Sequence, residues 1–138
     1  MGDLFLEVVT PEKVQVSQKV DMVVAPGSLG EFGVLEGHVP FLTGLIPGAL
    51  RYTAGGKPHL LAVSSGFVEV SENKVTVLVD SAERAEEIDL ERARLAMERA
   101  KDRLSKERGR KDIDFMRAEL SLRRAIARIK VGEATKGK

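Results

Sequence analysis

The hydrophobic pattern of this chain changes its period once, between Val79 and Leu90, and that change divides the sequence into two halves. In the first half apolar residues alternate with polar ones, as they do from Gly66 to Val70, and turn residues interrupt the pattern roughly every 8 to 12 residues. Short strands at this spacing are typical of sandwiches and barrels. We therefore predict an antiparallel β-sandwich or flattened barrel over residues 1–86.

In the second half the apolar positions follow steps of three and four residues, which places them on one face of a helix. One run begins at Leu90 and a second ends at Ile129, and Asp89 is placed to cap the first helix by accepting hydrogen bonds from its free amides. Because few residues separate the runs, we expect an antiparallel two-helix hairpin over residues 87–138. The sequence thus predicts an α+β fold, with Gly109 ending the first helix and a frayed tail at 132–138.

Alanine dominates the predicted contact face between the two helices, at Ala93, Ala96, Ala100, Ala118 and Ala125. A large buried apolar side chain contributes roughly 1.5–3 kcal/mol, and an alanine about a third of that by area. We therefore expect the hairpin to be marginally stable unless it is docked. Our hypothesis is that it is a mobile element with more than one resting place.

Several classes of function lack the residues that they need. The 138 residues include no Cys and only two His, which stand alone in the sequence, so neither thiolate chemistry nor a metal site is predicted. No Gly-rich loop is followed by Lys-Ser or Lys-Thr, and no base is evident for Ser64 or Ser65. No apolar run approaches the ~20 residues of a membrane span. We predict no catalytic residue and no direct insertion into lipid.

Charge is distributed unevenly between the halves. Residues 1–83 contain five Lys and Arg against ten Asp and Glu, whereas residues 84–138 contain 17 against 11, so the net charges are −5 and +6. Arginines recur at steps of seven and four on both predicted helices: Arg92, Arg99 and Arg103, then Arg117, Arg124 and Arg128. Such rows can bind a polyphosphate, meet an acidic protein surface, or pair with nearby acids such as Glu98. Spacing alone leaves these three interpretations open.

Several short segments, taken together, have the order and spacing of a known family. They are Val8–Glu12, Gly30–Val34, Gly37–Pro40, Ser64–Val70, Val75–Leu78, Ala82–Asp89, Arg117–Ala118 and Arg124–Ala125. In these segments the chain resembles the epsilon subunits of bacterial F-type ATP synthases, over nearly its whole length. It departs from the family pattern at Phe32, where an aliphatic residue is more usual, and at Ser65, where a second Gly is common.

The resemblance implies a β-sandwich followed by a helical hairpin, in agreement with the hydrophobic pattern. It implies a non-catalytic rotor subunit of the central stalk, whose sandwich binds the gamma subunit and rests on the ring of c subunits. The family's ring-contacting loop matches the Gly-rich segment Gly30–Pro40, so Glu31 and His38 are expected to contact the c-ring. It also implies a peripheral position at the cytoplasmic face of a bacterial cell membrane.

In the family the hairpin is a regulatory element. Folded down, it permits turnover; extended, it inhibits ATP hydrolysis and meets an acidic segment of a beta subunit. In some members the folded hairpin binds ATP at the motif Ile/Leu-Asp-x-x-Arg-Ala, which is present here from Ile88 to Ala93. By resemblance, the candidate nucleotide-binding residues are Glu83, Ile88, Asp89, Arg92, Ala93, Arg99, Arg124 and Arg128. ATP would then be a regulatory ligand, and no cofactor is required.

Two other interpretations use the same basic helices. A nucleic-acid-binding module is disfavoured, because acids are interleaved with the arginines and aromatic residues for stacking are scarce, so nucleic acid is not predicted as a partner. A stand-alone nucleotide sensor would share the arginine site, but its sandwich would not bind a gamma subunit.

Overall fold

The structure is a computed structural model that describes residues 3–106 and 113–136. Its strands are β1 Leu4–Val9, β2 Val14–Val20, β3 Met22–Gly27, β4 Gly30–Val34, β5 Phe41–Leu45, β6 Gly48–Ala54, β7 Lys57–Val63, β8 Gly66–Ser71, β9 Lys74–Val79 and β10 Ala82–Arg84. A single 3-10 turn, Ala85–Glu87, leads to two helices, α1 Leu90–Lys106 and α2 Ile113–Lys136. The predicted α+β fold, a sandwich or flattened barrel followed by a helical hairpin, is confirmed.

The strands form one hydrogen-bonded sheet that folds around a common core. Their order is β10-β7-β6-β3-β5-β8-β9-β1-β2, with β4 paired to β3. Alternation sends every second side chain inward, and Leu6, Val23 and Val68 are completely buried there. Between β6 and β7, Gly55 and Gly56 have φ of +59° and +77°, as the tight two-residue turn of a hairpin requires.

One pair of strands departs from the predicted antiparallel arrangement. β1 and β9 are parallel, with Leu6 opposite Val75 and Val8 opposite Val77, whereas the other strand pairs of the described residues are antiparallel. The first strand lies between β2 and β9, so both of its edges are hydrogen-bonded. This pairing depends on closure of the whole sheet rather than on a local turn.

The helices pack antiparallel to each other and dock on the sandwich. Arg94 of α1 lies 3.1 Å from Glu133 of α2, so the start of one helix is next to the end of the other. The buried helical residues are mostly the predicted alanines: Ala93, Ala100, Ala118 and Ala125. A second apolar cluster joins the hairpin to the sandwich: Ala62, Ala85, Ile88, Leu90 and Val131.

The tail that was predicted to be frayed from residue 132 is instead helical to Lys136. A Cβ atom on Gly132 would lie 2.7 Å from Leu90 Cδ2 and 3.3 Å from Ile88 Cγ2, so the missing side chain lets α2 approach this part of the chain closely. That packing offsets the low helix propensity of glycine. Residues 137 and 138 lie outside the described residues, as does Gly109, which was predicted to end the first helix.

Within residues 3–106 and 113–136, neither helix combines the length and the apolar composition that crossing a bilayer requires. The same part of the chain contains no group of His, Asp and Glu side chains placed to hold a metal ion.

Candidate functional site

A cavity of about 430 Å³ lies between the two helices and the edge of the sandwich. The sandwich contributes residues of β7 and β10, and both helices contribute one face. The volume is within the range of small-molecule sites, roughly 300–1,000 Å³. Because all three elements supply walls, the cavity is complete only while the hairpin is docked.

Four arginines line the cavity, two from each helix: Arg99, Arg103, Arg124 and Arg128. Within each pair the arginines are four residues apart, so they project from the same side of their helix. The antiparallel packing brings both pairs to the same cavity. Ala96, Ala100 and Ala125 also line it, and their small side chains leave space for a ligand.

Glu83 on β10 carries the single negative charge among the described residues that line the cavity. Its carboxylate pairs with Arg128 in a two-point contact: Nε lies 2.6 Å from Oε1, and Nη2 donates to Oε2 at 3.3 Å. The two side chains are only 26% and 35% exposed, which makes this the least solvated ion pair of the described residues. Only the Nη2 contact has hydrogen-bond geometry, whereas the buried Nε is close to Oε1 without a hydrogen bond. The low exposure of the pair strengthens the attraction between the two charges.

No acid among the described residues pairs with the other three arginines of the cavity. Arg124 Nη2 donates to Ser121 Oγ at 2.8 Å, which leaves its charge in place. Arg99 and Arg103 have no ion pair or side-chain hydrogen bond with any residue that the structure describes. The interpretation that these arginines simply pair with nearby acids is therefore not supported for them. A cavity lined by three exposed guanidinium groups, none of them paired with an acid of the described residues, suits a ligand with several negative charges.

The residues predicted to bind nucleotide separate into two groups. Glu83, Arg99, Arg124 and Arg128 line the cavity, whereas Ile88, Asp89, Arg92 and Ala93 do not. The second group builds the start of α1: Asp89 Oδ1 accepts a hydrogen bond from the Arg92 amide at 3.1 Å, as predicted for a helix cap. Ile88 and Ala93 are buried, and Arg92 is exposed. The motif thus shapes the helix that carries Arg99.

Some cavity residues were outside the predicted nucleotide-binding set. Arg103 belongs to the arginine row on α1, so its spacing was the signal that could have placed it there. Ser64, Ser81 and Ser121 were missed entirely. Ser64 is buried, and its hydroxyl accepts a hydrogen bond from the Ser81 amide at 2.9 Å. Sequence reasoning could not find this pair, because the fold brings the two serines together across the sheet.

The two residues predicted to contact the c-ring lie away from this cavity. Glu31 is exposed on β4, and its carboxylate is 3.8 Å from Arg51 Nη2. His38 is half-buried in the turn after β4, where its ring centroid is 6.0 Å from that of Phe41. Both side chains belong to the Gly-rich segment, and their contact with a ring stays a prediction.

The outer face of the sheet carries a continuous apolar row. Phe67 lies opposite Leu78, Leu78 opposite Val9, and Val9 opposite Val14, so one line of side chains crosses β8, β9, β1 and β2. Phe67 is 62% exposed, and Leu78 and Val14 are each 53% exposed. Large contiguous apolar patches are a feature of interaction surfaces. We call Phe67, Leu78, Val9 and Val14 the apolar row.

Comparison with known families matches both halves of the chain. Residues 3–85 match a family model described as ATP synthase, Delta/Epsilon chain, beta-sandwich domain. Residues 86–133 match a second, described as ATP synthase, Delta/Epsilon chain, long alpha-helix domain.

Relatives and solved structures agree with these matches. An ATP synthase epsilon chain of Nitratidesulfovibrio vulgaris is 55% identical over 128 residues, which cover 93% of this chain and 94% of the relative. That of Desulforapulum autotrophicum is 53% identical over 132 residues, covering 95% and 96%. A chain of the cryo-EM structure of Euglena gracilis mitochondrial ATP synthase superposes with a TM-score of 0.78 at 25% identity, covering 99% of this chain and 82% of that one. One from the central stalk and c-ring of the Tetrahymena thermophila enzyme shares the fold, with a TM-score of 0.56 at 14% identity and coverage of 97% and 96%.

Proposed function

The chain belongs to the family of ATP synthase delta/epsilon chains, and from this premise we propose that it is a non-catalytic rotor subunit of the central stalk whose helical hairpin is controlled by ATP. In this proposal residues 1–86 make the contacts with the rest of the rotor, and residues 87–138 regulate. The observation that carries it is the arginine-lined cavity between the hairpin and the sandwich.

ATP fits the chemistry of this cavity. Arg99, Arg103 and Arg124 offer fork-shaped donors that match phosphate oxygens in two-point contacts. The remaining lining side chains are those of alanines, serines and Val63, which leave room for a flat base. Ser81 and Ser121 offer hydroxyl groups to a ribose, whereas the Ser64 hydroxyl is bonded to backbone groups. Four cations face one carboxylate here, so the site favours a free triphosphate over a neutral nucleoside.

Ligand binding in this cavity would stabilise the docked position of the hairpin on the sandwich. The walls come from β10, α1 and α2, so a ligand that contacts all of them binds the docked state and not the extended one. A ligand with different affinities for two states shifts their populations by that difference. Loss of ATP would release the hairpin to extend toward an acidic segment of a beta subunit and inhibit hydrolysis.

Calorimetric titration of the full chain with ATP tests the proposal. We expect saturable binding, and about tenfold or more weaker binding in Arg99→Gln and in Arg124→Gln, since each loses a charge-assisted contact. Arg123→Gln is the matched control, because Arg123 lies on the same helix but pairs with Glu119 and does not line the cavity. Absence of binding at millimolar ATP, or equal binding by all variants, would contradict the assignment.

The apolar row is the proposed docking surface for the gamma subunit. Phe67, Leu78 and Val14 are exposed in this row, and a cluster of exposed apolar side chains supports contact with a protein partner. Phe67→Glu should abolish co-purification with the gamma subunit, whereas Leu29→Ser, at a 96% exposed apolar position in a turn, should not. Equal co-purification of both variants would place the gamma contact elsewhere.

Glu31 and His38 are proposed to face the c-ring, which would place the subunit at the cytoplasmic face of the membrane. A cysteine introduced at either position should form crosslinks with c subunits in the assembled complex. A cysteine at Lys57, the first residue of β7, serves as the comparison. The proposal for the loop fails if all three positions crosslink equally.

A further inference from the structure

The three-residue strand β10 connects the two halves of the molecule. It pairs antiparallel with β7, with Ala82 opposite Val63 and Arg84 opposite Leu61. It lies at one end of the linear strand order, and β2 lies at the other end. Each of its three residues makes a further contact, and these contacts reach different parts of the fold.

Two hydrogen bonds join β10 to the opposite edge of the sheet. Gln15 Nε2 on β2 donates to the Ala82 carbonyl at 2.5 Å, and Arg84 Nη2 donates to the Gln15 carbonyl at 2.6 Å. These bonds are partly buried, and they close the barrel where no regular strand pairing joins β2 and β10. We call them the seam.

The middle residue of β10 makes the contact with the hairpin. Successive side chains of a strand point to opposite faces, so Glu83 projects away from the side on which Arg84 lies. Glu83 there holds Arg128 of α2 in the two-point ion pair described above. Because Ala82 and Arg84 flank Glu83, a displacement of Glu83 moves the Ala82 carbonyl and the backbone from which the Arg84 side chain extends.

We propose that β10 is a coupling strand: closure of the seam and docking of α2 stabilise each other, and the position of the hairpin is transmitted to the β2 edge of the sandwich. The coupling needs no ligand and is independent of whether ATP occupies the cavity. Thermodynamic linkage makes it reciprocal, so weakening either contact weakens the other. Val14, the last member of the apolar row, is the neighbour of Gln15, so the coupling would end at the surface that we assign to a protein partner.

Hydrogen exchange on the ligand-free full chain measures the coupling from the seam side. Gln15→Ala removes the side-chain donor to Ala82, and we expect amides of α2 around Arg128 to exchange about three- to tenfold faster, as loss of one partly buried hydrogen bond predicts. Gln18→Ala is the matched control, because Gln18 lies on the same strand and the structure gives its side chain no hydrogen bond to a described residue. Arg84→Gln, which removes the other seam bond, should act like Gln15→Ala.

The reverse measurement starts from the hairpin. Arg128→Gln should raise exchange in β2 by a similar factor, whereas Arg123→Gln should leave β2 unchanged. The double variant Gln15→Ala/Arg128→Gln tests whether the two contacts are coupled. Its increase in amide exchange rate should be smaller than the product of the increases in the two single variants, because the first change has already weakened the second contact. Effects of Gln15→Ala and Arg84→Gln confined to β2 and β10, or single factors that multiply, would overturn the proposal.

Discussion

The sandwich and the hairpin are stabilised by different amounts of buried surface, although the same chain builds both. Inside the sandwich, Leu6, Val8, Val68 and Val77 are fully buried and belong to one continuous cluster. The buried residues of the helices are mainly alanines, with Leu90 as the large side chain of α1. Each buried methylene contributes about 0.8 kcal/mol, so the two regions differ by several kcal/mol in apolar stabilisation.

The difference shows where a ligand can act. A ligand at a hundred times its Kd stabilises the state that binds it by about 2.7 kcal/mol. A change of that size does little to a sandwich with a large core, but it is comparable to the stabilisation that the alanine contacts, the small cluster around Leu90 and Val131, and the ion pairs of the hairpin provide. The weakly packed region is thus the one that a ligand can reposition, as low-stability elements generally are.

The largest expected effect is on the sandwich. Gly66→Ala places a Cβ atom 2.0 Å from the Leu78 carbonyl oxygen and 2.8 Å from Val79 Cα, both of them backbone atoms that cannot move aside cheaply. We expect the free energy of unfolding to fall by about 4 kcal/mol. Denaturant unfolding measures it, with Gly33→Ala as the control, because its nearest contact is 3.9 Å away. Equal losses in the two variants would show that close packing at Gly66 is not the cause.

The second-largest expected loss of unfolding free energy comes from truncating a core side chain of the sandwich. Leu6→Ala removes a side chain that is 0% exposed, and the expected loss is about 3 kcal/mol. The loss should appear in every probe of the sandwich, because that core is one cluster. Leu95→Ala, at a position 54% exposed on α1, should cost less than about 0.5 kcal/mol in the same denaturation experiment. A smaller loss at Leu6 than at Leu95 would reverse the comparison.

Local sequence patterns predicted both regions as elements, because periods of two and 3.6 residues describe which face of a strand or helix is buried. The alternation around Val68 gave the sandwich, and the spacing of Ala93 and Ala100 gave the helical face. The parallel pairing of Leu6 with Val75 was not predicted, because no local turn specifies it. Helical structure at Gly132 was also missed, because its reason is a contact with Leu90 on the other helix.

The candidate site was predictable to a similar extent. Helical spacing placed Arg99 and Arg103 on one side of α1, and the family resemblance supplied Glu83 and Arg128 as candidates outside the motif itself. Contact between those two residues, 45 positions apart, depends on how the hairpin docks. The bond from Gln15 to Ala82 joins residues 67 positions apart and has no signature in either segment. Long-range polar contacts of this kind are decided by the packed fold and not by local pattern.

The third prediction concerns hairpin docking. Val131 is 1% exposed in the cluster that joins α2 to the sandwich, and Val131→Ala removes two methyl groups from it. We expect a loss of about 1 kcal/mol that is confined to the hairpin, seen as faster hydrogen exchange in α2 with unchanged exchange in β8 and β9. Ile126→Ala on the same helix, at a 46% exposed position, is the control. Equal acceleration throughout the sandwich would mean that the two regions unfold as one unit.

The smallest expected effect comes from the exposed ion pair between the two helices, which we compare with the pair between Arg128 and Glu83. Arg94 and Glu133 lie 3.1 Å apart, but each side chain is 55% exposed. Water and salt screen such a pair, so Arg94→Gln, which preserves helix propensity, should change hairpin stability by about 0.3 kcal/mol. Arg128→Gln should cost more, because it leaves the half-buried Glu83 carboxylate without its two-point partner. Exchange of α2 amides at low and high salt compares the two variants. If Arg94→Gln had the larger effect, docking would depend on the open end of the hairpin rather than on its contact with β10.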